Sequence, residues 1–579
     1  MVSMTIPSAA FQQEKIQPAR AILSRFRDLC QSPAGFASLP VGWYDFVRIA
    51  VSPSGPEGST MKSKSALFVL ACLISPLLND ARASEAEIAA ATRDGQRTTA
   101  IALARKGAAD VNAKLADGTS ALLWAVRSED LELVSVLLDA KARVNDADPD
   151  GITPLALACA EANVEITRKL LAAGANADLA DVSGVTPLMA AVGRPQIETV
   201  RLLLEAGAKV DARDNRAQET ALMIAVRDNN AAAVRALLDH GADVNAATRT
   251  GKTPARRPPG AGGGSHGVGI VRSGWPDRGY QDATPGGLTS LLYAARDGRT
   301  EIARMLLAAG AKVNLADANK ISPLLMAITN NQPETADLLI EKGAEINTAD
   351  FWGRTPLWTA VEMRNIEYSR SGEHNVDRAR LFTLITSLLE HGANPNARTA
   401  EVPPTRRFLM GLGDLSWVDF TGQTPFLRAA LSGDVAVMKL LLQKGADPSI
   451  PTFSGTTPLM AAAGINWVVS QTFTEDLPTQ IEAVKLCLDK GADINAANSM
   501  GLTPVFGAAN RGADSLLEFL VAHGARLDVK DKEGRTPMVW AEGVFLATNA
   551  PERKPSTIAL IEKLSKKDVP EASPVASAK

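Results

Sequence analysis

The chain has 579 residues, 46% hydrophobic and only 5% aromatic, with a formal net charge of −3. That balance points to neither a nucleic-acid polyanion nor an anionic membrane face as partner. Four cysteines are too few for a disulfide framework, and Cys159 and Cys487 read as small core residues rather than a pair.

Residues 1–60 carry Pro and Ser clusters and a scattered aromatic group, Trp43, Tyr44 and Phe46, and share no pattern with the rest of the chain. Met61-Lys62-Ser63-Lys64 then leads into an apolar run from Ala66 to Ile74, a break at Pro76, and Ala81-Arg82-Ala83. A basic start, a short apolar core and an A-x-A site are the layout of a secretory signal peptide, here 61–83. The core is shorter than the ~20 apolar residues of a membrane span. Its internal position is explained if translation starts at Met61 and 1–60 reflects a gene-start error. The mature chain then begins near Ser84, exported, in a bacterial periplasm. Two other readings stay open: an apolar helix capping the first repeat, and lipidation at Cys72 after Val69-Leu70-Ala71.

From residue 84 one unit recurs about every 33 residues. Its clearest copy runs from Asp150 to Asp181. Thr153 suits a helix cap and Pro154 the first helical position, where its missing N–H costs nothing. A short apolar helix reaches Glu161, breaks at Ala162-Asn163, and a second helix carries Ile166, Leu170 and Leu171 to Gly174-Ala175. Gly174 can take the left-handed conformation that ends a helix. Two such short helices cannot bury their own apolar faces, so copies must stack into a solenoid.

Thr-Pro-Leu recurs at 153–155, 186–188, 355–357 and 457–459, with variants such as Thr119-Ser120-Ala121, Thr424-Pro425-Phe426 and Thr536-Pro537-Met538. Gly-Ala recurs at 107, 174, 207, 241, 310, 343, 392, 445, 491 and 524, with Lys141-Ala142 as one degraded copy. On these residues the chain resembles the ankyrin-repeat family across roughly 85–565. The resemblance implies an all-α solenoid of stacked helix-turn-helix units with short fingers, about twelve of them. It also implies protein binding. One departure is systematic: where ankyrin repeats often carry His after Thr-Pro-Leu, this chain has Leu122, Met189, Met223, Leu292, Leu325, Trp358, Leu427, Met460 and Phe506. Packing is expected to replace that histidine's hydrogen bonds between repeats.

The first repeat lacks the Thr-Pro turn and starts with Glu85 and Glu87, as suits an N-terminal cap. Repeats fill 84–250. Residues 251–285 then lose the pattern, with eight Gly, five Pro and no Leu between Pro254 and Pro285. Thr220 to Thr289 is 69 residues, close to two periods. A flexible joint between two halves and a frameshifted repeat both fit. The Gly262-Gly263-Gly264-Ser265-His266-Gly267 run follows Arg256-Arg257-Pro258-Pro259 rather than a strand, so dinucleotide binding is not expected. Repeats resume over 286–566, interrupted by insertions at 365–380, 399–418 and 464–479. A final unit without Gly-Ala forms a C-terminal cap, and 567–579 is expected to be disordered.

No catalytic, cofactor or metal motif stands out, and neither an enzyme nor a cofactor is expected. His240, His391 and His523 precede Gly-Ala and fit helix ends, where they can satisfy terminal carbonyls. The insertions are the better functional candidates, because loops on a rigid array concentrate binding residues. The 399–418 insertion extends a finger over the concave surface. Its Arg406, Arg407, Phe408, Met410 and Trp417 are the candidate partner-binding residues. The other two extend helix–helix turns at the opposite edge, with Trp467, Phe473 and Asp476 in the last. The expected function is a monomeric, exported, non-enzymatic scaffold for a protein partner. It has no nucleic-acid partner and no membrane span. The alternatives are an intracellular regulator or effector, and an enzyme using the 365–479 insertions as an active-site wall.

Overall fold

The computed structural model describes residues 86–107, 109–251, 286–366, 376–400, 419, 421–467, 473–544 and 551–567. The chain divides into two compact units, 1–81 and 82–579, and every described residue belongs to the second. Those residues form twelve helix pairs and no extended strand. The first six pairs are α1 (Glu87–Arg93) with α2 (Arg97–Lys106), α3 (Ala121–Arg127) with α4 (Leu131–Asp139), α5 (Pro154–Ala160) with α6 (Val164–Ala172), α7 (Pro187–Val192) with α8 (Ile197–Glu205), α9 (Ala221–Arg227) with α10 (Ala231–Asp239), and α11 (Ser290–Arg296) with α12 (Thr300–Ala308). The next six are α13 (Pro323–Thr329) with α14 (Pro333–Glu341), α15 (Pro356–Arg364) with α16 (Arg378–Glu390), α17 (Pro425–Ser432) with α18 (Val435–Gln443), α19 (Pro458–Ala462) with α20 (Leu477–Asp489), α21 (Pro504–Arg511) with α22 (Asp514–Ala522), and α23 (Pro537–Gly543) with α24 (Pro555–Lys567).

Each unit is built as its sequence dictates. Thr153 Oγ1 accepts from Ala156 N at 3.1 Å, Pro154 starts α5, and Gly174 ends α6 at φ 87°. In the second repeat the cap is Ser120, not Thr119: Ser120 Oγ accepts from Leu123 N. Thr119 instead takes the Trp124 indole N–H at 2.8 Å. Leu155, Ala158, Cys159, Ile166 and Leu170 are buried between neighbouring pairs. Full burial of each large aliphatic side chain contributes about 1.5–3 kcal/mol, and nearest-neighbour interfaces sum along the stack.

Two ladders tie the repeats together. Fingers pair through their backbones: Val182 N donates to Asp150 O at 2.9 Å, Asn215 N to Ser183 O at 2.8 Å, and Arg249 N to Ala217 O at 2.7 Å. Behind them runs a row of Asn and Asp side chains. Asn112 Oδ1 accepts from Arg143 N, Asn145 Oδ1 from Asn176 N, and Asp178 Oδ1 from Lys209 N, at 2.7, 2.8 and 2.7 Å. At the position after Thr-Pro-Leu the repeats pack as expected, with Leu122, Met189, Met223 and Leu292 buried, and this row adds a polar ladder at the outer turns.

The ladder does not pause at 251–285. Asn245 Oδ1 accepts from Lys312 N at 2.8 Å, and its Nδ2 donates to Gly310 O at 3.2 Å. Helix α9 packs on α11 and α10 on α12. Thr248 N donates to Leu288 O and Gly287 N to Thr248 O, the pairing that closes one finger. Residues 252–285 lie outside the described residues, but their two flanks leave and re-enter a single finger, and the repeats on either side are direct neighbours. The same closure, Thr399 N to Gln423 O and Gly422 N to Thr399 O, brackets the 401–418 segment.

The last pair ends the stack as a cap. Ile558 and Ile561 of α24 are buried while Glu562 and Lys563 are exposed, and Thr557 Oγ1 donates to Asp514 at 2.5 Å.

Candidate functional site

The inner helices α3 to α23 present equivalent positions to one face of the stack. The fourth residue after each capping Ser or Thr forms a row along it. Trp124, Leu157, Ala190 and Ile224 are partly exposed in that row. From the sixth repeat onward the row is buried: Tyr293 at 5%, Met326 at 9%, then Thr359, Arg428, Ala461, Gly507 and Trp540. Along this row the face is therefore open over repeats two to five and closed from the sixth onward.

In the open part, Thr119, Leu123, Trp124, Arg127 and Asp148 line a shallow hollow. The exposed Arg127 guanidinium lies 5.0 Å over the Trp124 ring. Its far end is marked by Glu219, which accepts from Tyr293 Oη at 2.5 Å and from Arg227 Nη1 at 2.8 Å. Burial, then the Glu219 carboxylate, raises the Tyr293 phenol above its ordinary range. Arg296 lies 4.9 Å over the Tyr293 ring. The open surface is thus an apolar row bordered by Arg127, Arg227 and Arg296.

The closed part is held by charge. Glu362 of α15 and Arg428 of α17 form an ion pair with side chains 2% and 1% exposed. Arg428 also donates to Ser432 Oγ at 2.9 Å and to Asn365 O at 2.8 Å. Asp434 takes Arg364 at 2.8 Å and Arg378 at 3.6 Å. Arg378 reaches on to Glu475 at 2.7 Å and lies 3.9 Å over the Phe473 ring. Phe473 N donates to Asn365 O and Glu475 N to Ser432 O, both at 3.1 Å. The described parts of 464–476 are therefore pinned to the C-terminal ends of α15 and α17.

The third insertion joins the two helices of its repeat, and its Trp467 folds back on Leu427, Leu431 and Ala461, Nε1 donating to Thr474 Oγ1 at 3.0 Å. Phe473 stacks under Arg378, and Asp476 caps α20 by accepting from Thr479 N at 2.9 Å. The candidates Arg406, Arg407, Phe408, Met410 and Trp417 lie outside the described residues, as do Tyr368, Arg370 and His374. The Glu362–Arg428 pair escaped the sequence reading. Its signal was present, since charged residues stand where α5 has Ala160 and Leu157.

The histidines sit as their positions required. His240, His391 and His523 each place Nδ1 2.8 Å from the carbonyl four residues earlier. Cys159 and Cys487 are buried, and burial pushes both thiols up to about 12. Among the described residues no group of three His, Cys, Asp or Glu is placed to hold a metal ion, and no helix is long and apolar enough to cross a membrane.

A family model described as three copies of ankyrin repeats matches residues 86–181, 122–214, 163–248, 274–350, 291–371 and 478–543, and a single-repeat model matches 421–450. Among solved structures, the chain is similar to the ankyrin repeat domain of Bcl-3, described as a unique member of the IkappaB protein family. The identity is 25%, the match covers 44% of this chain and 97% of that one, and the TM-score is 0.35. No curated protein matches. Ankyrin repeats mark a protein–protein interaction scaffold. With model matches spanning more than half of its length, the chain belongs to the ankyrin-repeat family.

Proposed function

We propose that this chain is an exported, non-enzymatic scaffold that binds a protein partner along the open inner face of repeats two to five. The change from partly exposed to buried along the row from Trp124 to Trp540 carries this reading. It leaves one stretch of inner face free for a partner. Tryptophan and arginine are the residue types that dominate binding energy at interfaces, and Trp124 with Arg127 supplies both beside a hollow. Export is supported by the signal-peptide pattern of 61–83.

A second arm of the site is the finger insertion with Arg406, Arg407, Phe408, Met410 and Trp417. The closure at Thr399 and Gln423 favours it, because both flanks of the insertion leave one finger tip. Cross-linked pull-down from fractionated native cells separates the two. The chain from Ser84 is compared with Trp124→Ala/Arg127→Ala and with a copy lacking 401–418. Capture from the envelope fraction that survives the deletion and is lost in the double variant supports the open face. The reverse pattern moves the site to the finger. Chaperones alone in all three contradict the scaffold.

A further inference from the structure

Arg511, at the end of α21, stands apart from three other arginines of the stack. Arg354 pairs with Asp350 at 2.7 Å, Arg364 with Asp434 at 2.8 Å, and Arg428 with Glu362. Among the described residues the Arg511 guanidinium has no carboxylate within salt-bridge reach, and its Nη1 is buried without a hydrogen-bond partner. What the guanidinium lacks is an acceptor, and the favoured acceptor beside a guanidinium is an anion.

The guanidinium is fixed in place. It lies 5.0 Å over the Trp467 ring, which Thr474 holds in turn. A Cβ on Gly464 would sit 2.5 Å from Arg511 Cδ, and one on Gly507 2.6 Å from Ala463 O, so the absence of side chains at both positions lets the arginine lie down against the inward-folded segment. Glu552, on the loop before α24, is taken by Lys554. Burial alone pushes the Arg511 pKa down to about 10, and no described acid opposes the shift. A cation buried without a counterion costs more than ring stacking returns. Arg511 keeps partial exposure, and Nε and Nη2 are not among the sealed atoms, so a ligand can reach those two nitrogens from solvent.

We propose that Arg511, backed by the Trp467 ring, forms a binding site for a carboxylate, carried by an acidic side chain or the C-terminus of a peptide. A planar guanidinium held against a ring offers parallel N–H groups to the two oxygens of a carboxylate. The site lies in the eleventh repeat and stands or falls apart from the open face of repeats two to five.

The test uses the full chain with acetate as probe. Saturation-transfer NMR on the acetate methyl and the shift of Tm in acetate against chloride at equal ionic strength are read for the natural chain, Arg511→Met and Arg511→Lys. The expected result is transfer and a raised Tm in the natural chain. Both are lost in Arg511→Met and weakened in Arg511→Lys, and Arg511→Met in chloride melts no lower than the natural chain. Equal responses in all three, or no response in the natural chain, overturn the site. A large fall in the Tm of Arg511→Met in chloride makes the residue structural and also overturns it. Inorganic phosphate displacing acetate at lower concentration than acetate itself binds overturns the carboxylate assignment.

Discussion

Glu362 and Arg428 lie 66 residues apart in sequence and face each other from inner helices of adjacent repeats, both sealed from solvent. Buried ion pairs of this kind add little net stability, because desolvation offsets most of the attraction, but removing one partner leaves a charge stranded. The pair therefore fixes which groups sit together under the inward-folded segment from 464 to 476.

Removing Glu362 alone is accordingly expected to cost about 3–5 kcal/mol in the unfolding of the eighth to tenth repeats. Urea titration of Glu362→Ala reads that loss. The double change Glu362→Met/Arg428→Met restores most of it, since two apolar side chains replace the pair. A single variant within ~1 kcal/mol of the natural chain contradicts the burial of the pair.

Direct packing of the fifth repeat on the sixth predicts that 252–285 is dispensable for the stack. Replacing it with a two-residue turn shortens the connection between the two repeats and is expected to leave the urea midpoint unchanged or higher. Asn245→Ala removes two hydrogen bonds across that junction and is expected to cost about 1–2 kcal/mol. Loss of cooperative unfolding on deletion would mean that the segment holds the two sides together.

Lys141 stands where ten other repeats have glycine and takes the same left-handed backbone, φ 67°. Its side chain is exposed, so nothing offsets the conformational cost. Lys141→Gly is expected to raise stability by about 1 kcal/mol, measured as a shift of the urea midpoint. A fall of similar size contradicts the assigned conformation.

Asp317 gives the stack a pH dependence. Burial raises its carboxyl to about 6, against the accepting bonds from Ile321 N at 2.8 Å and Asn319 N at 2.9 Å. The folded state then binds its proton at higher pH than the unfolded chain, so this group's contribution to stability falls as pH rises from about 4 to 6. Asp317→Asn keeps an oxygen acceptor for both N–H groups. It is expected to be at least as stable as the natural chain at pH 7.5 and to lack the gain on acidification. Parallel stability–pH curves for the two proteins contradict the shift.

The repeat was legible because its signals are local. Thr153, Pro154 and Gly174 each act within a few residues, and copying fixed the stack. The polar ladder was half legible: Val244-Asn245 stood in the sequence, but its partners at Gly310 and Lys312 lie beyond the segment that hides which repeats are neighbours. The inward turn of Trp467 was not legible, since helical spacing does not tell which face a loop folds over. Only the packing on Leu427 and Leu431 shows it.

Hydroxyl-radical footprinting of the full chain, read residue by residue by mass spectrometry, tests the open and closed parts of the inner face most directly. Tryptophans of equal intrinsic reactivity stand at both ends. Trp124 is predicted to oxidise readily, while Trp540, 1% exposed, is protected, as are the residues around Arg428. Equal oxidation of Trp124 and Trp540, or protection of Trp124 in the isolated chain, would contradict a face that is free only over repeats two to five.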